Sequence, residues 1–289
     1  EVLRCLVEGL RWLLGPQVEL SVAGKSGISQ ARSRLGPEPL KLLYERIVAP
    51  IAVKRTRGAW YRGWRLVSLD GTTMAVADTA ENEEAFGRPG QSRGKAAQPL
   101  VRLVSLVESG THVLFGARMA DYHTGEKTLA EQILPGLRRG MLCIADRNLY
   151  SFTLWEKARA NGAELVWRIK KNMRLPCARR LADGSYLSYI YPSEKARRND
   201  TNPVQVRVVE YELEGVEDAE PIYRLITTIL DPKKAPAHEL AALYHERWEI
   251  ETALDEFKTH LRGGAAIVLR SKRPDLVIQE LYGLLLAHF

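Results

Sequence analysis

The sequence contains few of the residues on which disulfide frameworks and zinc sites depend. Its 289 residues include three cysteines, Cys5, Cys143 and Cys177, which lie far apart and form no CxxC pair. The six histidines form no H-x3-H pair. This scarcity argues for a reducing cytosol, and against a disulfide framework or a zinc site.

Long apolar runs are lacking as well. No run approaches the ~18 residues that a membrane span requires, and no signal peptide is present, so we expect no membrane partner. The chain begins at Glu1 without methionine and stops within the apolar stretch QELYGLLLAHF. We therefore expect it to be part of a longer protein.

Positive charge, in contrast, is in excess. The chain has 42 Lys and Arg against 35 Asp and Glu, a net charge of +7 and a pI near 9.3. Such an excess suggests a polyanionic partner, most often nucleic acid, although many basic proteins bind none. With 45% hydrophobic and 27% charged residues, the composition is typical of one large globular domain with elaborations, or of two domains.

Residues 1–58 have the pattern of a helical region. LRCLVEGLRWLL has helical apolar spacing, and a later segment predicts two short helices about a glycine turn. In that segment we predict Ser29 as an N-cap, Gly36 as the turn and Pro39 in a first helical turn. The arrangement fits a helix-turn-helix and hence a DNA-binding region, incomplete at its start.

Residues 59–170 alternate between strands and helices, which predicts an α/β fold. WRLVSLDG reads as a buried strand that ends at Asp70 and Gly71, and GMLCIADRN as another that ends at Asp146. The polar, glycine-rich segment 81–98 predicts a mobile loop, followed by a hairpin about a Ser-Gly turn. Thr124 is the predicted cap of the next helix.

Residues 171–235 differ from what precedes them. YLSYI, VQVRVVEYEL and IYRLITTIL are predicted strands separated by polar loops, so the segment reads as a β-rich insertion. The last segment, 236–289, begins with a helix after Pro236.

The stretch YHERWEIETALDEFK within that helix carries Tyr244, Arg247, Glu251 and Lys258 at offsets of 0, 3, 7 and 14. On a helical wheel these four share an arc of about 60° beside an apolar stripe. That stripe consists of Leu243, Ile250, Leu254, Phe257 and Leu261. For an isolated helix, a solvated face with charge pairs one turn apart is the favoured explanation of the polar stripe, so the alternative depends on partners elsewhere in the chain.

Two acids at strand ends provide partners for this stripe. Asp70 and Asp146 would lie close together if their strands are neighbours, and Glu251 on a crossing helix would be the third carboxylate. At 4 Å each like-charged pair costs about 4 kcal/mol at an effective dielectric constant of 20, so the cluster requires a bound cation or a raised pKa. A ligand set of oxygens alone selects Mg²⁺ or Mn²⁺, and two such ions would suit phosphoryl transfer. Taken singly, Asp70 could instead be a turn residue and Asp146 a helix cap.

Three motifs in this order resemble the DDE transposases of bacterial insertion sequences, in the subfamily named after insertion sequence four. Y-x2-R-x3-E-x6-K matches Tyr244, Arg247, Glu251 and Lys258 without a gap. The D-G-T context of the first acid matches residues 70–72, and ADRNLY matches the context of the second.

The resemblance covers most of the chain and implies an RNase H-like core, here 59–170 and 236–289, interrupted by the β-rich insertion. It implies that Asp70, Asp146 and Glu251 are catalytic and bind two Mg²⁺ or Mn²⁺ ions. The implied partners are element-end inverted repeats and target DNA, bound by a homodimer in a bacterial, cytoplasmic, nucleoid-associated setting. Cut-and-paste transposition is the implied activity.

Several cations are predicted to contact DNA. Tyr244, Arg247 and Lys258 would face phosphates, and Arg147 a phosphate or a carboxylate. RIKKNMRLPCARR, with Lys170 and Lys171, places six cations in thirteen residues where the insertion begins. VKRTRGAWYRGWR interleaves aromatics with five cations, and fits either DNA binding or a linker whose tryptophans cover the core.

Some relatives cut through a DNA hairpin and hold a flipped base on a tryptophan of the insertion. Residues 171–235 contain no tryptophan, and the spacing of Trp167 favours core packing. Tyr186, Tyr189 and Tyr191 are the candidates for stacking a base. Two other functions remain open: a nuclease of the same core without strand transfer, and an inert remnant that only binds DNA.

Overall fold

The computed structural model describes residues 15, 24–91, 94–95, 98–213, 220–246, 254, 257 and 268–289. Its helices are α1 (Lys25–Leu35), α2 (Glu38–Ile47), α3 (Ala80–Phe86), α4 (Glu126–Ile133), α5 (Phe152–Ala160), α6 (Glu194–Arg198), α7 (Ala237–His245) and α8 (Pro274–His288). Its strands are β1 (Trp60–Tyr61), β2 (Trp64–Ala75), β3 (Gly90–Gln91), β4 (Gly94–Lys95), β5 (Leu100–Glu108), β6 (Leu114–Asp121), β7 (Met141–Ala145), β8 (Glu164–Arg168), β9 (Arg179–Arg180), β10 (Tyr186–Ile190), β11 (Val204–Tyr211) and β12 (Tyr223–Thr227). Helices and strands together confirm the predicted α/β class.

One large sheet organises the described part of the chain, in the order β6-β5-β2-β7-β8-β12-β11-β10-β9, with β1 paired to β2. The strands β6, β5 and β2 are antiparallel neighbours, whereas β7 and β8 run parallel to β2. The apolar run of β7 is buried along its whole length, as expected for a parallel strand covered on both faces.

The β-rich segment continues this sheet. Strands β9, β10, β11 and β12 form antiparallel pairs with one another, and β12 pairs with β8. The three strands predicted from YLSYI, VQVRVVEYEL and IYRLITTIL are confirmed as β10, β11 and β12. The segment therefore widens the central layer instead of forming a layer of its own.

Helices cover the two faces of the sheet with separate apolar clusters. On one face α4 and α5 contribute Leu129 and Trp155 to a large cluster that also contains Leu69 of β2. On the other face α7 packs Leu240 and Leu243 against a smaller cluster that includes Leu66, Ile144 and Val166. Leu66 and Leu69, three residues apart in β2, thus point to opposite faces, as pleating requires.

The N-terminal helices differ in detail from the prediction. Gly36 ends α1 with a φ of 66°, and Pro39 lies in the first turn of α2, as predicted. The Ser29 cap is wrong, because α1 begins at Lys25 and Ser29 lies inside the helix. Residues 48–58 contain no helix, whereas residues 1–14 and 16–23 lie outside the described part.

Tyr44 of α2 forms buried hydrogen bonds that join these helices to the sheet. Tyr44 of α2 is 1% exposed, and its hydroxyl donates to the carbonyl of Leu114 at 2.8 Å and accepts from the backbone nitrogen of Ala117 at 3.1 Å. At this point the β5–β6 register shifts, with Gly116 at a φ of 64°. Because a bulge leaves backbone groups unpaired, the hydroxyl replaces hydrogen bonds that the ladder lacks.

Three local predictions are wrong. The strand β2 does not end at Gly71, because pairing with β5 carries it to Ala75. The expected loop at 81–98 begins with helix α3, which Thr79 caps by accepting from the backbone nitrogen of Asn82. Gly125, not Thr124, precedes α4. No helix in the described ranges is long and apolar enough to cross a membrane.

Candidate active site

The two predicted strand-end acids lie side by side. Leu69 of β2 pairs with Ala145 of the parallel strand β7, and each is followed at once by an acid, Asp70 and Asp146. Residues paired across neighbouring strands point to the same face. The register therefore places the two acids next to each other on the same face of the sheet, as the sequence predicts.

The same register adds a residue on each side of this pair. Ser105 of β5 pairs directly with Asp70, and Trp167 of β8 pairs with Ala145, so that Arg168 is level with Asp146. We call this set, Ser105, Asp70, Asp146 and Arg168, the acid row. It runs across four adjacent strands where β7 and β8 end.

Local hydrogen bonds orient the two acids. The backbone nitrogen of Gly71 donates to Oδ1 of Asp70 at 2.8 Å. The backbone nitrogen of Arg147 donates to Oδ1 of Asp146, and the Asn148 side chain donates to Oδ2 at 3.3 Å. Both side chains are half-buried, which lowers the local dielectric while leaving access from outside.

The structure excludes the structural alternatives for both acids. The cap of α5 is Ser151, whose hydroxyl accepts from the backbone nitrogen of Leu154 at 3.2 Å, so Asp146 does not cap this helix. Asp70 is not a turn residue, because β2 continues beyond it.

Helix α7 crosses the face on which Asp70 lies. Ser68 is level with Ile144 of the α7-covered cluster, and Asp70 follows it by two residues, so both face α7. At the end of α7 the His245 ring lies 5.4 Å from the ring of Tyr211 and 5.7 Å from that of Tyr223. Burial, and less strongly Arg168, lower the pKa of His245.

Tyr244 lies elsewhere than predicted. Its side chain is 5% exposed and packs in the α7-covered cluster, so the phenol is not on an open polar stripe. Arg247, Glu251 and Lys258 lie outside the described residues. The apolar stripe is confirmed where it can be followed, since Leu243, Leu254 and Phe257 are buried.

The oxygen atoms of the two acids are the type of ligand that a hard divalent cation prefers. Asp70 and Asp146 offer carboxylate oxygens side by side, and no thiol or imidazole accompanies them in the acid row. Within the described ranges no three His, Cys, Asp or Glu side chains could together hold a metal. The third predicted ligand, Glu251, is outside those ranges.

The predicted cations Arg147, Lys170 and Lys171 line one cavity of about 500 Å³ next to Asp146. Asn148, Asn172 and Glu220 complete its lining. Arg147 forms an ion pair with Glu220, which also accepts from Arg168 at 2.9 Å. The carboxylate partner predicted for Arg147 is therefore confirmed, and the structure identifies it as Glu220.

The aromatic, basic stretch at 53–65 is largely used for internal packing. The Trp60 indole donates to the carbonyl of Val53 at 2.8 Å, and the Arg65 guanidinium lies 4.6 Å above its ring. Arg62 forms two hydrogen bonds to Glu239 of α7, at 2.6 and 2.7 Å. These internal contacts are the kind that the linker interpretation predicts.

The aromatic candidates for base stacking separate into two groups. Trp167 is 0% exposed, edge-on to Trp155 at 5.4 Å, so its predicted core role is confirmed. Tyr186 is buried and bonds to Glu210. Tyr189 and Tyr191, in contrast, line a cavity of about 260 Å³.

Sequence reasoning missed Ser105, Arg168 and Glu220 as neighbours of the acids. Ser105 is 0% exposed, and its hydroxyl has no hydrogen-bond partner in the part of the chain that the structure describes. A serine in the apolar run LVRLVSLVE is the one local signal, because its place beside Asp70 depends on the β2–β5 register.

Comparison with known proteins bears on this geometry. A family model described as "Transposase DDE domain" matches residues 62–289. "Transposase InsG for insertion sequence element IS4" of Escherichia coli (strain K12) is 31% identical over 268 residues, which are 91% of this chain and 59% of that protein. "Putative transposase InsZ" of the same organism is 27% identical over 149 residues, which are 51% of this chain and 50% of that protein.

The chain thus spans between half and three fifths of the length of these curated relatives. Among solved structures, one chain of "Cryo-EM structure of piggyBac transposase synaptic complex with hairpin DNA (SNHP)" has a TM-score of 0.47 and 10% identity. That alignment covers 77% of this chain and 45% of the other.

Proposed function

This chain belongs to the DDE transposase family, and we propose on that basis that it cuts DNA at element ends and joins the cut end to target DNA. Asp70, Asp146 and Glu251 are the proposed catalytic residues. The observation that carries the proposal is the β2–β7 register, which supports a shared site for Asp70 and Asp146. A structural role for either acid alone leaves this juxtaposition without a reason.

In the proposed reaction, water attacks the phosphodiester at the element end and the 3′-oxygen leaves. The products are a 3′-hydroxyl and a 5′-phosphate. The 3′-hydroxyl then attacks a phosphodiester of the target, so that one bond forms as another breaks. Each step places extra negative charge on the phosphate that reacts, which the site has to stabilise.

The family uses divalent metal ions, and the two acids with Glu251 are the residues that would hold one or two Mg²⁺ or Mn²⁺. Such ions, when bound, would offset the charge on the attacking and leaving oxygens. The chain's own contribution is to hold carboxylates at fixed positions. Backbone hydrogen bonds to Asp70 and Asp146 support that role.

DNA binding would use the cations at the same place. Arg147, Lys170 and Lys171 share one cavity next to Asp146, which supports phosphate contacts there. Arg247 and Lys258 join this set through the resemblance. Tyr244 is left out of it, because its side chain is buried. Inverted repeats at element ends, a target duplex and a homodimer in the DNA complex complete the proposal.

We interpret the five strands β6-β5-β2-β7-β8 as the RNase H-like core that the family resemblance implies. Residues 59–170 supply these strands, and residues 236–289 supply α7 and α8. Residues 171–235 are the proposed insertion between them, and residues 1–58 the proposed DNA-binding region. The sheet continues from core to insertion through the β8–β12 pair, which joins the two mechanically.

A cleavage and joining assay tests the function. The full chain is incubated with Mg²⁺, a labelled duplex that ends in the inverted repeat flanking its gene, and a supercoiled target plasmid. Label that is cut and joined to plasmid supports the transposase. Cutting without joining would mean a nuclease, a gel shift without cutting a DNA-binding remnant, and no shift at all would overturn the proposal.

Asp70→Asn and Asp146→Asn assign the site in the same assay. Each should reduce cutting to background while the gel shift persists, because an amide keeps the shape of the side chain but loses the charge that binds the cation. Asp275→Asn is the matched control, since Asp275 is half-buried like the two acids and pairs with Arg273 at the start of helix α8. Full cutting by either site variant would refute the assignment.

A further inference from the structure

Glu220 holds two arginines at the mouth of the proposed DNA-binding cavity. One oxygen, Oε1, forms ion pairs with both Arg147 and Arg168, the latter at 2.9 Å. Burial acts to raise the pKa of Glu220, and the hydrogen bonds and charges of the two arginines outweigh it, so that this pKa lies below its usual value. The carboxylate is therefore charged at neutral pH.

Arg168 is the more fixed of the two arginines. Its side chain is 14% exposed, against 40% for Arg147, and its guanidinium lies 4.5 Å above the Tyr223 ring. It is also level with Asp146 in the acid row. A guanidinium loses hydration on burial, so Arg168 requires an anionic partner, which in this structure is Glu220.

The surroundings of Glu220 contain more positive than negative charge. Arg147, Lys170 and Lys171 line the same cavity, and Arg168 adjoins it, so four cations are present beside two carboxylates, Glu220 and the adjacent Asp146. A guanidinium binds a phosphate with the same fork of donors that it offers a carboxylate. Positive charge is therefore in excess here, and a DNA strand brings several phosphates to it whereas Glu220 supplies a single charge.

We infer that Arg168 and Arg147 form a subsite for a DNA backbone phosphate, whose place the Glu220 carboxylate takes while DNA is absent. Without DNA, both guanidiniums pair with Oε1 of Glu220. A phosphate that enters the subsite displaces this carboxylate and pairs with the same two guanidiniums. The inference rests on the proposed function, since it names which groups of that site bind the phosphate nearest the acids.

The contrary explanation is a structural ion pair with no part in DNA binding. Of the two pairs, only that of Arg147 is well exposed, and surface pairs contribute only about 0–1 kcal/mol to stability; the Arg168 pair would affect stability under either explanation, so stability measurements separate the two explanations poorly. DNA affinity and its salt dependence separate them well, because a displaced carboxylate competes with DNA whereas a structural pair does not.

The test measures binding of the full chain to a labelled duplex over a series of NaCl concentrations. Glu220→Gln removes the competing charge and keeps the shape, so it should tighten binding by about tenfold, which is roughly 1.4 kcal/mol. The slope of log K against log [salt] should stay near that of the wild type, because the same phosphate is bound in both chains. Arg168→Gln should weaken binding and flatten the slope by about one.

Glu156→Gln is the matched control. Glu156 is 31% exposed, as is Glu220, and pairs with Arg159 on helix α5, so the net charge changes equally. An effect of Glu220→Gln no larger than that of Glu156→Gln, or a weakening, would overturn the inference. If Glu220→Gln failed to fold, Arg168→Gln against Arg159→Gln would decide, and equal affinities would overturn it.

This experiment also separates the inference from the function beneath it. A wild-type chain that binds no DNA contradicts the proposed function. A wild-type chain that binds, with Glu220→Gln indistinguishable from the control, contradicts the phosphate subsite alone.

Discussion

Two carboxylates on the central sheet, Glu108 and Asp146, have opposite surroundings. Glu108 ends β5 and is 0% exposed. Its Oε2 accepts from the backbone nitrogens of Ile51 and Ala52, both at 2.9 Å, and from the Thr111 hydroxyl at 2.6 Å, while Oε1 pairs with Arg65. Four donors thus satisfy a group with about four acceptor positions.

Asp146 receives its hydrogen bonds from its own neighbours. The donors are the backbone nitrogen of Arg147 and the side chain of Asn148, and the carboxylate is half-buried. Such local bonds orient the group without using its whole capacity. The difference shows how one functional group, the carboxylate, serves two purposes: the folded chain satisfies all acceptor positions of Glu108, a closed carboxylate, whereas Asp146, an open one, can accept a ligand from outside.

The largest effect should come from Glu251, the residue proposed as the third metal ligand beside Asp70 and Asp146. We expect Glu251→Gln to abolish Mg²⁺-dependent cleavage, because the site would lose its third carboxylate. Asp255→Asn is the matched comparison. Asp255 lies at roughly 20° on the helical wheel and Glu251 near 340°, close to the apolar stripe. The longer side chain of Glu251 also reaches further from a helix.

Asp255→Asn should therefore retain a sizeable fraction of the cleavage rate, measured with the same labelled duplex. Rates in the reverse order would show that Asp255 is the ligand. The register assigned to Tyr244, Arg247, Glu251 and Lys258 on one helical stripe would then be wrong.

Periodicity and capping chemistry located most elements of the described fold from the sequence. The apolar run before Asp146 is determined by residues close in sequence, so local rules predict it well. Helix α3 escaped prediction because its charged, glycine-flanked sequence resembles a loop. Its Asn82 side chain donates to the carbonyl of Ser271, a contact that no local pattern reveals.

The candidate site shows the same limit. The motifs indicate Asp70 and Asp146 directly, since each apolar run ends in a single acidic residue. Ser105, Arg168 and Glu220 are neighbours of these acids only through strand register and a distant ion pair. Pairing with β5 also carried β2 past Gly71, where the sequence predicted an end. Long-range pairing decides such features, and one sequence does not display it.

Breaking the closed carboxylate should affect stability and not chemistry. We expect Glu108→Gln to lower the free energy of unfolding by about 3–5 kcal/mol, because Arg65 loses its counter-charge and an amide donor faces two backbone N–H groups. Urea denaturation followed by circular dichroism measures this change. Below its melting temperature the variant should still cut DNA.

Asp146→Asn should give the opposite result, with no cutting and a stability within about 0.5 kcal/mol of wild type. Glu45→Gln provides the control for Glu108→Gln, since Glu45 forms a half-exposed pair with Arg118 at 3.1 Å. Removing that pair should cost only about 0–1 kcal/mol. A loss of stability in Asp146→Asn as large as that in Glu108→Gln would remove the distinction between closed and open carboxylates.

Removing a neutral group whose hydrogen bonds are likewise satisfied within the fold, the Tyr44 hydroxyl, should have the smallest effect on the free energy of unfolding. Tyr44 resembles Glu108 in that its hydroxyl satisfies two backbone groups of another element, Leu114 and Ala117, but it carries no charge. Tyr44→Phe would leave a buried carbonyl and a buried N–H unpaired, at a cost of about 1–3 kcal/mol. The matched control is Tyr282→Phe, since the Tyr282 ring is 3% exposed and packs 5.5 Å from that of Tyr44. The same loss of a hydroxyl there spares the bulge. Urea denaturation of both variants should therefore show a larger loss for Tyr44→Phe, below that of Glu108→Gln. Equal losses in the two tyrosine variants would mean that the hydrogen bonds from Tyr44 to the bulge contribute no more to stability than the hydroxyl of Tyr282 does.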